Sequence, residues 1–209
     1  MTFSTKLAAV ALAMSLAFSG SALAAGGVWD STTPWGDATL AQYAEWNTFD
    51  SVSGDSTPEI GAGSISLSPA GFTLQNGDIY TLFSLPTITA TLTGTSGVFD
   101  VYLRVATQGR NLASEALLNG VVANSVLAYT GAADFGSGDE QELYWVWNNV
   151  TGADLYTFQF QASAPHILID QVALASIAVA AVPEPSTYAM LALGLGVLGA
   201  ASRRTRKQN

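Results

Sequence analysis

Apolar and polar residues alternate with a period of two in several short stretches of the chain. The pattern is clearest in residues 87–93 (TITATLT), 99–105 (FDVYLRV) and 156–160 (YTFQF). Successive side chains of a β-strand point to opposite faces, so each stretch collects its apolar residues on one face only as a strand. The pattern therefore predicts half-buried strands rather than helices.

Turn sequences separate these stretches. Asn76-Gly77, Asn119-Gly120 and Thr151-Gly152 lie between apolar runs, and Asn-Gly favours a tight hairpin because both residues tolerate positive φ. Several short strands joined by such turns predict one antiparallel β-sandwich or barrel. Residues 166–174 (HILIDQVAL) read as a buried final strand, and residues 134–140 (DFGSGDE) as a surface loop.

Two short patterns make the fold prediction more specific. HILIDQVAL resembles the closing strand of jelly-roll sandwiches of the carbohydrate-binding and galactose-binding-like type, in which Ile-Asp-x-Val is common. Residues 116–120 (ALLNG) are similar to the Leu-Asn-Gly hairpins of the same folds. The resemblance implies an all-β, jelly-roll-like sandwich over residues 25–182. It also implies that Asp170 helps to hold a structural calcium ion.

The first 24 residues have the features of a signal peptide. Lys6 is the only charge before the apolar residues 7–18, and Ala22-Leu23-Ala24 fits the small-x-small cleavage pattern. We expect signal peptidase to cut after Ala24, since the apolar run is short for a permanent anchor.

The C-terminal segment combines an apolar run with a basic end. Residues 187–201 contain no charge and would form a helix of about 22 Å, shorter than the roughly 20 residues of a usual membrane span. Pro183 and Pro185 disfavour a helix before this run. Four basic residues follow it and would stay cytoplasmic: Arg203, Arg204, Arg206 and Lys207. An ordinary membrane anchor is the alternative interpretation.

Residues 183–209 resemble the PEP-CTERM sorting signal of Gram-negative bacteria. The resemblance lies in the triplet Pro183-Glu184-Pro185, the short apolar segment and the basic end, in that order. It implies an exosortase in the inner membrane that cuts near the triplet and releases or transfers the protein. The product would be exported to the cell surface or extracellular matrix, with transient or retained C-terminal anchoring.

Removal of both signals leaves a strongly acidic domain. Residues 25–182 contain two arginines and fifteen acidic residues, a net charge of −13. Binding to nucleic acid is therefore not expected, because phosphate contacts need basic side chains. Attraction of cations such as calcium is expected. The chain has no cysteine, which excludes thiolate nucleophiles and cysteine-ligated metals.

Catalytic residues are hard to find in the sequence. His166 is the only histidine; it opens an apolar strand, and no Gly-x-Ser-x-Gly is present, so we expect a structural role. A glycoside hydrolase needs two carboxylates about 5 to 10 Å apart. Five acidic residues are available for such a pair, although an acidic exported surface also serves solubility: Glu45, Asp50, Glu115, Glu140 and Glu142. We predict no catalytic residues.

Two binding sites are predicted from residue clusters. Acidic residues crowd the stretch 134–142 and provide the oxygen ligands that calcium prefers, although the spacing is not that of an EF-hand. The jelly-roll resemblance adds Asp170 to this set. The predicted ligands are Asp134, Asp139, Glu142 and Asp170, and a simple solvated acidic loop is the alternative. Trp145 and Trp147 share one face of a strand and could stack on sugar rings, or both could belong to the core.

These observations predict a non-enzymatic exported protein with a binding or structural role, associated with exopolysaccharide. The alternatives are a polysaccharide hydrolase that uses paired carboxylates and a purely structural matrix protein that associates with itself.

Overall fold

The computed structural model of this 209-residue chain describes residues 29–74, 77–133, 138–180 and 190–195. Fourteen strands lie in these residues, and every pairing between them is antiparallel. They are β1 (Gln42–Trp46), β2 (Gly54–Asp55), β3 (Ile60–Gly61), β4 (Gly63–Ser68), β5 (Phe72–Thr73), β6 (Ile79–Thr81), β7 (Thr87–Thr93), β8 (Val98–Gly109), β9 (Glu115–Leu118), β10 (Val121–Asn124), β11 (Val126–Ala132), β12 (Asp139–Thr151), β13 (Leu155–Gln161) and β14 (Ile167–Ala178).

The strands form two sheets. Sheet A has the order β11-β12-β8-β14-β1-β3, with β6 also paired to β14 and β5 paired to β6. Sheet B has the order β10-β9-β13-β7-β4-β2. Four strands of sheet A, in the order β1-β14-β8-β12, face four strands of sheet B, in the order β7-β13-β9-β10. When these eight strands are followed along the chain, consecutive strands lie in different sheets, except that β9 and β10 form a hairpin in sheet B. This is the strand arrangement of a jelly roll, so the predicted fold class is confirmed.

The period-two stretches identified in the sequence form the core. Ile88, Ala90 and Leu92 of β7 and Tyr156, Phe158 and Phe160 of β13 are buried on the inner face of sheet B. Their neighbours along each strand point outward. The inner face of β8 is buried in the same way, so the two sheets enclose a single apolar layer.

Turn and loop predictions are confirmed only in part. The Asn119-Gly120 hairpin joins β9 to β10, and both residues have the expected positive φ, 49° and 84°. The surface-loop prediction for residues 134–140 is wrong at its end, because Asp139 and Glu140 pair with β8 as the start of β12; residues 134–137 lie outside the described residues. The final strand runs on to Ala178, since its pairing with β8 continues that far.

The two sorting segments fall almost entirely outside the described residues. Residues 190–195 are helical, but the signal peptide, the full sorting helix and the domain boundaries stay predictions. In the parts of the chain that the structure describes, we find no helical segment with the length and hydropathy of a membrane span.

Candidate functional site

The N-terminal strap, residues 29–35, covers part of the outer face of sheet A. The ring of Trp29 lies over the guanidinium of Arg104, with 4.0 Å between Cζ and the ring centroid. Trp35 packs edge-on against Tyr43 and Tyr102, with centroids 5.8 and 5.9 Å apart. The chain itself therefore occupies the part of this face nearest β1 and β8.

A buried ion pair lies beneath the strap. Arg104 Nη2 donates to Glu142 Oε2 at 2.8 Å and also to the carbonyl oxygen and Oγ of Ser31, at 2.7 and 2.8 Å. The backbone N–H groups of Asp30 and Ser31 and the hydroxyl of Ser31 donate to the Glu142 carboxylate. Each ionic residue is only 1% exposed. The pair thus joins β8, β12 and the strap.

Two carboxyl groups, those of Asp78 and Asp170, form a hydrogen bond further along the same sheet. Asp170 lies where the β8–β14 register shifts between Ile169 and Gln171, and its side chain is hydrogen-bonded to buried Asp78. Burial is the main cause that raises the pKa of Asp170 to about 7, followed by the negative charge and hydrogen bond of Asp78. The charges of Glu140 and Glu142 raise this pKa further. The Asp170 carboxyl therefore keeps its proton to a higher pH than an ordinary aspartate does.

The three described residues among the four predicted calcium ligands do not share one environment. Asp134 lies outside the described residues, and Asp139 is exposed at the start of β12. Glu142 is held by Arg104, while Asp170 is bonded to Asp78. Over the part of the chain that the structure describes, no group of three or more histidine or acidic side chains could hold a metal ion. Calcium binding stays a prediction.

Trp145 and Trp147 cannot serve as a surface platform for sugars. Both rings are buried between the sheets. Their Nε1 atoms donate to the carbonyl oxygens of Ser114 and Val121 at 2.9 and 2.8 Å. Because the polar edge of each indole is already satisfied inside the protein, the stacking interpretation is wrong and the core interpretation holds.

The other residues considered for chemistry are dispersed. His166 precedes β14, and its Nδ1 lies 2.7 Å from the hydroxyl of Tyr80. Glu45 accepts from Trp29 Nε1 at 3.1 Å. Asp50 accepts from a threonine of its own loop, and Glu115 is exposed on sheet B. Of the five carboxylates, two have charges that raise the pKa of Asp170: Glu140 and Glu142.

The outer face of sheet B presents an uncharged array that we call the polar grid. Nine serine, threonine and glutamine side chains on β4, β7 and β13 point away from the core. Strand pairing places them in three rows: Ser68–Thr87–Gln161, Ser66–Thr89–Gln159 and Ser64–Thr91–Thr157. With strands about 4.8 Å apart and same-face positions about 6.7 Å apart, the grid covers roughly 10 by 13 Å.

A shallow depression of about 260 Å³ adjoins the polar grid. It is lined by Thr87, Gln159 and Gln161 of the grid and by Glu115 and Leu117 of β9, among others. This volume is below the usual range of enclosed small-molecule pockets, about 300 to 1,000 Å³. The surface suits a ligand that lies along the sheet better than one that enters a cavity.

The sequence contained part of the signal for this surface. Alternating threonines in 87–93 and glutamines in 156–161 identify outward positions, but within one strand this pattern indicates only a half-buried strand. The serines of β4 were missed, because residues 63–68 carry only two large apolar side chains. Their alignment with β7 depends on pairing across the sheet.

Comparison with known proteins identifies the C-terminal segment. Residues 181–207 match the family described as PEP-CTERM protein-sorting motif, which confirms the resemblance seen in the sequence. No curated protein matches the chain. The sorting residues Pro183 to Pro185 and Arg203 to Lys207 lie within the match and outside the described residues. The motif implies export and sorting at the membrane by exosortase-type machinery. The chain therefore carries a PEP-CTERM protein-sorting motif at residues 181–207, after the last strand of the jelly roll.

Proposed function

We propose that the protein binds neutral exopolysaccharide at the cell surface or in the extracellular matrix, through the polar grid, and does not hydrolyse it. The observation that carries this proposal is the grid itself: nine aligned hydroxyl and amide groups without a charge, on a domain of net charge −13. Hydroxyl and amide groups both donate and accept hydrogen bonds, as sugar hydroxyls do.

Charge selects the class of polysaccharide. A uronate-containing or sulfated polymer would be repelled by the acidic domain, and the grid offers no cation to bind it. A neutral polymer has no such penalty. The opposite face of the sandwich is partly occupied by the N-terminal strap, whereas the grid residues of sheet B are exposed or half-buried among the described residues.

Loss of grid side chains is expected to weaken binding. In the double variant Thr89→Val/Gln159→Ala, two hydrogen bonds of about 1 kcal/mol each are removed, which corresponds to a roughly 30-fold higher Kd. Binding of the exported protein to a panel of neutral polysaccharides and polyuronates measures this effect.

Thr151→Val is the matched control, since Thr151 is an exposed threonine at the end of β12 in the other sheet. It should leave binding unchanged. Equal binding by the double variant and the native protein would exclude the grid as the site. A preference for polyuronates over neutral polymers would contradict the proposed ligand class.

A polysaccharide hydrolase is the second candidate function. The supporting observation is Asp170, whose pKa of about 7 makes its carboxyl a proton donor near neutral pH. The carboxyl groups of Asp170 and Asp78 are in direct hydrogen-bond contact. They are therefore closer together than the two carboxyl groups of a glycosidase, which are about 5 Å or more apart. Release of oligosaccharides from a bound polymer, abolished by Asp170→Asn, would establish hydrolysis and overturn the binding proposal.

Processing at the tail is expected to produce a surface form without its basic end. Mass spectrometry of the protein recovered from the cell surface should yield no peptide beyond Arg203, because exosortase cleavage near Pro183-Glu184-Pro185 removes it. Replacement of the triplet by Ala-Ala-Ala should retain the complete tail. Recovery of the basic end from the native surface form would show that the tail is kept as an anchor.

A further inference from the structure

The two sides of the sandwich differ in how their edges are protected. On one side the edge strands β2, β3 and β5 have only two residues each. On the other side the edge strands are β10 and β11, which follow each other in the chain with one residue between them. We call this side, residues 121–132, the long edge. Very short edge strands limit pairing with another chain, whereas a long edge leaves backbone N–H and C=O groups available as a template.

The long edge also lacks the charges that usually prevent such pairing. Residues 116–133 contain neither a charged residue nor a proline. Leu127 is 53% exposed, and Val121, Val122 and Val126 are exposed as well. Within the described residues of this edge, one protective feature is a bulge between Leu127 and Tyr129, in the pairing of β11 with β12.

A strand that pairs with β11 must itself be uncharged where it faces the apolar side chains of this edge. β11 itself is uncharged and so meets this requirement. The rest of the domain carries the net charge of −13, which repels a second copy. Antiparallel pairing of β11 with β11 obeys a two-fold axis, so each copy offers the same surface that it contacts. The uncharged β11 strand of a second copy therefore meets the requirement for pairing with β11.

We propose that two copies of this protein associate through antiparallel pairing of their β11 strands. The contact joins the two A sheets into one continuous sheet and leaves both polar grids, which lie on the B sheets, open. A dimer with two grids would bind a polymer with higher avidity than a monomer. The association does not require glycan binding, and it gives the protein a cross-linking role between polymer chains.

Sedimentation velocity of the processed surface protein tests the proposal. We expect a monomer–dimer equilibrium at protein concentrations of about 10 to 100 μM. The dimer fraction should increase between about 0.05 and 0.5 M salt, because salt screens the repulsion between acidic domains but not the apolar contact. A single monomeric species at every concentration and salt level would overturn the proposal.

A pair of lysine substitutions locates the contact. Leu127→Lys places a charge at the proposed interface and should give a monomer, with at least a tenfold weaker association. Leu155→Lys is the matched control, since Leu155 is 49% exposed and lies on β13 of sheet B; it should associate like the native protein. Unchanged association of Leu127→Lys, or loss with Leu155→Lys instead, would overturn the β11 assignment. Glycan binding measured on a short oligosaccharide should be the same in monomer and dimer, which separates this test from that of the grid.

Discussion

Replacement of Arg104 by methionine is expected to lower the free energy of unfolding by about 3 to 5 kcal/mol, because it leaves the Glu142 carboxylate buried without its cation. The same change removes the hydrogen bonds from Arg104 to Ser31 and the contact with the Trp29 ring. For a domain of this size the melting temperature should fall by about 10 °C. Thermal unfolding followed by circular dichroism measures the effect.

Arg110→Met is the matched control, since Arg110 is the other arginine of the domain and is exposed. Its melting temperature should stay within about 2 °C of the native value. The double variant Arg104→Met/Glu142→Gln should recover at least half of the loss. An amide oxygen can still accept from the strap N–H groups of Asp30 and Ser31, while the buried charge is gone. If Arg104→Met unfolds like the native protein, the ion pair does not hold the strap.

The sequence could predict the position of Arg104 on its strand but not its burial. Period-two alternation correctly assigns Arg104 to the face opposite Leu103 and Val105. Such an outward face is normally solvated, and what buries it here is the strap about 70 residues earlier in the chain. A contact of that separation has no signature in local pattern.

The tryptophans show a second limit of pattern analysis. Trp145 and Trp147 alternate with Tyr144 and Val146, so both faces of this part of β12 are apolar or aromatic. Periodicity then identifies a strand without indicating which face meets the core. The structure decides this through the second sheet, which buries the tryptophans and leaves Tyr144 and Val146 half-exposed.

The fold was more accessible than the site for a physical reason. The presence of a strand and the Asn119-Gly120 hairpin depend on residues that are neighbours in the chain. A period-two sequence pattern reports on such neighbours. The polar grid depends on the register of β4 against β7 and of β13 against β7. A shift of one residue in either pairing would turn the same serines and threonines inward.

Acidification is expected to stabilise this acidic protein between about pH 7 and pH 4, through Asp170. The pKa of this carboxyl is raised to about 7 in the folded protein, from 3.8 as its ordinary value. The folded state therefore binds more protons than the unfolded state in this window, and the contribution of Asp170 to stability is lost as pH rises towards 7. Carboxylates in ion pairs, in contrast, lose their contribution as pH falls.

Asp170→Asn isolates this effect, because an amide resembles the protonated carboxyl and does not titrate. We expect the variant to melt about 5 °C higher than the native protein at pH 8 and nearly equally at pH 4.5. Asp154→Asn is the control, since Asp154 is exposed between β12 and β13; it should change neither value. The pKa of Asp170 is raised by burial, by Asp78 and by the charges of Glu140 and Glu142. Asp78→Asn removes only one of these causes, so it should reduce the pH dependence without abolishing it. Equal pH dependence in the native protein and in Asp170→Asn would show that folding does not raise the pKa of Asp170.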